Sequence, residues 1–142
     1  MILKIDQMAA EPIYMQIRNQ IVAAIAQGEL GEGDGLPSVR RLAEELGINL
    51  HTVNKAYALL RDEGYVIMRG RNGARITKPE HAISPDQRKE AHCAMTNDLE
   101  KIAIEFKAYG GSMGDFLNAA NEAARSIFSD REHPNPPTKG QQ

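Results

Sequence analysis

A chain of 142 residues has room for one domain, or for a small domain with an appendage; 42% hydrophobic and 25% charged residues make an ordinary globular composition. Only 5% of residues are aromatic, which argues against a large aromatic-lined cavity, and the single Cys93 excludes an internal disulfide and any CxxC metal or redox motif. The net charge of −2 is uneven: residues 1–79 carry ten Lys/Arg against nine Asp/Glu, and residues 80–142 carry seven against ten.

The opening MILKIDQMAAEPIYMQ has no basic segment followed by a long apolar run, so no signal peptide is expected. No apolar run is long enough to span a bilayer. These features lead to the expectation of a cytoplasmic protein with no membrane partner.

A first helix is expected from about Glu11 to Gln27. Pro12 suits a first helical turn, and Ile13, Ile17, Ile21, Ala24 and Ile25 recur on one face. Gly28 stops it, and GELGEGDGLP is loop chemistry. Ser38 caps a short helix, Val39 to Leu46, which Gly47 ends. Asn49 caps the next helix, which ends at Gly64, with Ile48, Val53, Ala56, Leu59 and Leu60 facing a core. Two helices joined by a tight Gly-containing turn form a helix-turn-helix. Beyond them YVIMRGRNGARIT suggests two short strands, Tyr65–Met68 and Arg75–Thr77, around the hairpin signal Asn72-Gly73.

The segment KPEHAISPDQ has two prolines and no periodicity, and reads as a linker. A helix from about Ser84 to Tyr109 follows, with Met95, Leu99, Ile102, Phe106 and Tyr109 in a heptad seam. Gly110-Gly111 breaks it. Then Met113, Leu117, Ala120, Ala124 and Ile127 repeat the spacing, with Phe116 and Phe128 alongside. The tail from Asp130 is polar and proline-containing, and is expected to be disordered. The domain plan is therefore 1–78, a linker at 79–87, a two-helix region at 88–129 and a tail at 130–142.

The helix opening at Asn49 carries short polar side chains on its exposed side: Asn49, His51, Thr52, Asn54 and Lys55. A DNA major groove admits one such helix; Asn can pair bidentately with adenine, and a Thr methyl can touch that of thymine. Arg40 and Arg41 on the preceding helix can reach phosphates, as can Arg69 and Arg71 at the wing tip. Between Ser38 and Arg75 seven Arg/Lys face four acids. A polar helix face alone is most often a solvated surface; the combination favours DNA.

Pro12 to about Thr77 resembles the winged helix-turn-helix of GntR-type bacterial transcription regulators. The resemblance rests on LPSVRRLAEELGI at Leu36–Ile48, TVNKAYALLRDEGY at Thr52–Tyr65 and the Gly-rich wing, in the family's order. Only about fifty residues follow the linker, which looks like the short YtrA-type subfamily. The resemblance implies a fold that is mainly α with a small β-wing: a winged helix-turn-helix followed by a two-helix C-terminal dimerisation region. It also implies a regulator, expected to repress, that binds a palindromic double-stranded DNA operator as a homodimer. The contact residues it implies by match are Arg40, Asn49, Thr52, Asn54, Lys55, Arg71 and Gly73; Ser38, Arg41, Leu50, His51 and Arg69 complete the expected DNA-binding set. Departures from the family pattern are Gly35 at a usually basic position, Leu50 for a common Pro or Arg, Asn54 for Arg or Gln, and Gly73-Ala74 for Gly-Thr.

The C-terminal seams have a bland reading, since any two packed helices show such spacing. Dimerisation through Met95, Leu99, Ile102, Phe106, Tyr109, Phe116, Leu117, Ala120 and Ile127 is preferred, because two helices cannot bury two apolar stripes between themselves. Met95, Phe106, Tyr109, Met113, Phe116 and Phe128 could line a site for an unidentified small-molecule effector, although core packing is the commoner use of such a stripe. No metal or cofactor is expected: His51, His81, His92 and His133 are scattered, and His92 and Cys93 point about 100° apart on a helix. No Walker loop, GxSxG or GxGxxG is present, so an enzyme is not expected. The competing reading is a winged-helix protein-interaction module that does not read DNA sequence; the basic wing and Arg40/Arg41 count against it.

Overall fold

The computed structural model describes residues 2–70 and 73–129. In chain order the elements are helix α1 (Ile13–Ala26), strand β1 (Gly35–Leu36), α2 (Val39–Leu46), α3 (Leu50–Asp62), β2 (Val66–Met68), β3 (Ala74–Ile76), α4 (Pro79–Ala82), α5 (Pro85–Ala108) and α6 (Met113–Phe128). The chain divides after Lys89 into two units. No helix among the described residues is long and apolar enough to cross a membrane.

In the first unit α1, α2 and α3 enclose one core. Ile17, Ile21, Leu42, Val53, Ala56, Tyr57 and Leu60 are buried in it, and Leu36, Val66, Ala74 and Ile76 close it from the sheet side. The helix starts follow from local chemistry. The Ser38 Oγ accepts the Arg41 N–H at 3.2 Å, and the Asn49 Oδ1 accepts the His51 N–H at 2.7 Å. α2 stops at Gly47, whose φ of 65° is left-handed and places the following Asn49 as the next cap. α3 ends at Asp62, two residues before the Gly64 expected to end it.

The sheet has three antiparallel strands in the order β1-β3-β2, with Leu36 opposite Ala74 and Val66 opposite Ile76. The expected hairpin is therefore β2 and β3, one residue shorter at Tyr65 and shifted to start at Ala74, with β1 as an additional strand. The Arg69 N–H donates to the Gly73 carbonyl at 2.9 Å and closes the wing. Arg71 and Asn72 lie outside the described residues, as does the tail from Asp130.

The stretch read as a linker, 79–87, contains α4 and the first turn of α5. Its two prolines each open a helix rather than prevent one, because the missing N–H is unused in a first turn. Ser84 and Gln87 complete a reciprocal cap on α5: the Ser84 Oγ accepts the Gln87 N–H at 3.2 Å and the Gln87 Oε1 accepts the Ser84 N–H at 2.8 Å.

The N-terminal residues lie along α1, held by two glutamines one turn apart. Gln20 bonds both backbone groups of Lys4. Buried Gln16 accepts the Asp6 N–H at 2.9 Å and donates to the Asp6 and Glu11 carbonyls, each at 2.8 Å. Gln16→Ala strips three partners at once, and chemical denaturation is expected to show a loss of about 1–3 kcal/mol. An unchanged urea midpoint would show that water replaces the side chain without penalty.

In the second unit α5 and α6 have no buried residue. They meet near their joint turn, where the Phe106 and Phe116 ring centroids are 6.0 Å apart. A side chain on Gly111 would overlap the Phe106 ring as it stands and would have to turn it aside.

Candidate nucleic-acid interface

α3 packs Val53, Ala56, Tyr57 and Leu60 inward, which leaves Leu50, His51, Asn54, Lys55 and Arg61 exposed on its outer side. A groove of about 420 Å³ runs between the start of α2, the first turns of α3 and the wing, and Ser38, Arg40, Leu50, His51, Asn54 and Gly73 line it with Val39, Met68 and Gly70. Seven of the sequence-predicted contact residues thus divide as follows: Arg40, Leu50, His51 and Asn54 are exposed along it, Ser38 is half-buried, Gly73 is buried in its floor, and Arg69 is exposed beside it on the wing.

Several expected contact residues already have structural work. The Ser38 hydroxyl and the Asn49 carbonyl oxygen cap helices, and the Asn49 amide N–H groups remain for a base. Thr52 is half-buried beside the core. The Arg41 Nε donates to the Glu45 carboxylate at 2.9 Å along α2, so its charge is partly answered within the helix. Arg40 has no hydrogen bond or ion pair with any described residue and is the unencumbered cation of this helix. Gly73, besides lining the groove, has a structural part of its own. Its φ is 79°, and a Cβ there would stand 2.9 Å from the Leu36 carbonyl oxygen. It lets the wing lie directly against residues 36–38.

Tyr57 was not among the sequence-predicted core residues or site residues. Its ring is fully buried and its hydroxyl donates to the Pro37 carbonyl at 2.7 Å. Burial, and then the Glu45 carboxylate, push its pKa up, so it stays a donor near neutrality. Tyr57 and Gly73 therefore converge on the same short stretch, which leads into Ser38 and α2. The α3 C-terminus is tied to α1 by Arg18, whose guanidinium bonds both carboxylate oxygens of Glu63, at 3.1 and 2.5 Å. The hydrogen bond to Glu63 raises the Arg18 pKa above its ordinary value. These ties hold the helix that carries Asn54 and His51 as a rigid piece.

This arrangement of helix, groove and wing has known relatives. Residues 13–76 match the family described as bacterial regulatory proteins, gntR family. The chain is 42% identical to the solved structure of YtrA from Sulfolobus acidocaldarius, a GntR-family transcription factor, covering 68% of this chain and 99% of that one with a TM-score of 0.52. The chain belongs to the GntR family. Within it this chain is of the YtrA type. It is 43% identical over 70 residues to the HTH-type transcriptional repressor YtrA of Bacillus subtilis, covering 49% of this chain and 54% of that protein. Over 89% of its length it is similar to a Listeria monocytogenes structure described as a transcriptional antiterminator, covering 92% of that chain with 26% identity and a TM-score of 0.76. The matched stretch spans less than two thirds of the curated relatives' length, as the 63% and 54% coverage of two of them shows.

In the second unit of this GntR-family chain, Phe106, Met113 and Phe116 line a cavity of about 310 Å³ with Ala103, Lys107, Gly111 and Ser112. Met95, Tyr109 and Phe128, expected beside them, do not line it. Among the described residues no three His, Cys, Asp or Glu side chains are grouped to hold a metal ion.

Proposed function

We propose that this chain is a sequence-specific DNA-binding transcription regulator, not an enzyme, which represses from a palindromic operator as a homodimer. The observation that carries the reading is the groove beside α3. It presents an unpaired guanidinium from Arg40 and the polar ends of His51 and Asn54, on a helix held by buried aliphatics. A groove so built matches a duplex edge: Arg40 for phosphate, Asn54 and His51 for bases, Arg69 for the backbone beside the wing. The name of the Bacillus subtilis relative, a transcriptional repressor, supports repression.

The homodimer rests on the second unit. Leu99, Ile102 and Leu117 are about half exposed and Met113 is 78% exposed, in stripes that no other described residue covers. A second copy supplies the matching stripes and makes a bundle of four helices. Two α3 helices then read half-sites about 34–36 Å apart. This regulator needs no resident cofactor or metal. The cavity beside Phe106 and Phe116 is where a small apolar effector would sit.

Binding to random duplex DNA should fall steeply between about 50 and 200 mM salt as counterion release weakens. Arg40→Ala should weaken binding to every sequence alike and lower the salt slope by about one. Asn54→Ala should alter the ranking of sequences selected from a random pool, at a cost of about 1–3 kcal/mol for the preferred one. Salt-independent binding, or none, would favour the protein-docking module instead. An Arg40→Ala protein of undiminished affinity would remove the phosphate role from that residue.

A further inference from the structure

The outer face of α3 lies between two shoulders. With about 100° per residue, Leu50 and Asn54 come round on the flank beside the wing, where they line the groove. Thr52, Lys55 and Leu59 come round on the opposite flank, against which α1 packs. There the Lys55 ammonium lies over the ring of Tyr14, 4.1 Å from its centroid. Tyr14 is the second residue of α1, half-buried and packed on the core, so the ring is a fixed platform. Lys55 is exposed and has no ion pair among the described residues. Several other cations of this unit are engaged: Arg41 pairs with Glu45, Arg61 with Asp62, and Arg75 donates to the Gly33 carbonyl.

Resting on the DNA-binding reading, we infer that Tyr14 is a positioning residue for Lys55. Its ring face holds the ammonium at the edge of the recognition helix away from the wing, with N–H donors turned outward to a backbone phosphate. An aromatic face attracts a cation without neutralising it, as a carboxylate would, so the charge remains available to the duplex. A Lys side chain free in solvent gives up much rotamer freedom when it grips a phosphate, and one already resting on a ring gives up less. α1 thereby shapes the interface as well as the core, and the duplex is held on both flanks of α3: by Arg40 and the wing on one, by Tyr14 and Lys55 on the other.

The test uses the full chain and a duplex selected from a random pool, read by fluorescence anisotropy over a series of salt concentrations, with affinities compared at the same salt. Tyr14→Leu keeps the apolar bulk and removes the ring, and should weaken binding about two- to five-fold. Tyr14→Phe restores the ring and should recover that loss. Lys55→Ala should lower the salt slope by about one, and adding Tyr14→Leu to it should change nothing further. In the NMR spectrum of the unaltered free protein, the Lys55 ε-methylene protons should lie upfield, shielded by the ring, whether or not Tyr14→Leu folds. Three results would each overturn the inference yet leave the DNA-binding reading standing: an equal Tyr14→Leu loss in the Lys55→Ala background, tighter binding by Tyr14→Leu, or ε-methylene protons at the position of a free Lys. An unaltered chain that bound no duplex would bring down that reading first, and this inference with it.

Discussion

Leu99→Asp combined with Ile102→Asp is expected to turn the protein into monomers and to lower operator affinity by about a hundred-fold or more. Both residues lie on the outward seam of α5, 48% and 56% exposed in the single chain. If two copies bury these seams against each other, a dimer of the double variant would have to bury four carboxylates in an apolar interface. Each carries a desolvation penalty of several kcal/mol with no cation opposite it. The monomer leaves them in water at no such cost. Since Leu99 and Ile102 are already exposed in the chain, folding of the first unit should be untouched, and its melting transition serves as the control. Operator binding then loses its second half-site contact, and the salt slope should fall to about half. Sedimentation equilibrium decides the matter. A double variant with the mass of two chains would place the dimer contact elsewhere, and an unaltered chain with the mass of one would remove the dimer altogether.

The helices of the first unit were legible because their signals are local. Ser38 and Gly47 bound α2 at the expected residues, since a cap and a left-handed stop each act within a few positions. The core face of α1 could be read from Ile17, Ile21 and Ala24 because burial follows the helical period. β1 was not legible: two residues have no period, and Gly35 and Leu36 become a strand only by pairing with Arg75 and Ala74 far along the chain. Pro79 and Pro85 misled in the same way, because a proline at a helix start and one in a linker look alike until the following turn is seen. At the candidate site, residue type pointed to Arg40, His51 and Asn54. It did not point to Tyr14 or Tyr57, whose parts depend on what lies across from them: the Lys55 ammonium and the Pro37 carbonyl. A tyrosine at helical spacing is indistinguishable from plain core until tertiary packing places its neighbour.

Gly73→Ala is expected to destabilise the first unit by about 2–5 kcal/mol and to abolish high-affinity DNA binding in the folded fraction that remains. Two costs combine. At a φ of 79° an alanine carries the strain of a left-handed backbone, about 1–2 kcal/mol. Its Cβ would also stand 2.9 Å from the Leu36 carbonyl oxygen and 3.5 Å from the Ser38 nitrogen. The second is ordinary contact, but the first is too close and involves a backbone atom, so relief requires the chain to move, and an overpacked site of this kind costs about 1–3 kcal/mol. The direction of that movement matters for function. Leu36 pairs with Ala74 in the sheet, and Ser38 caps the helix that carries Arg40. Pushing residues 36–38 away from the wing separates Arg40 from Arg69 across the groove and pulls Pro37 from the Tyr57 hydroxyl. Gly47 supplies the comparison that separates the two costs. Its φ is 65°, but a Cβ there meets nothing within 4 Å. Gly47→Ala should therefore show the strain alone, about 1–2 kcal/mol, and should retain DNA affinity once folded. If chemical denaturation found the two alanine variants equally stable, the close approach of wing and β1 would have no energetic weight. The groove would then have to be held open by α2 and α3 alone.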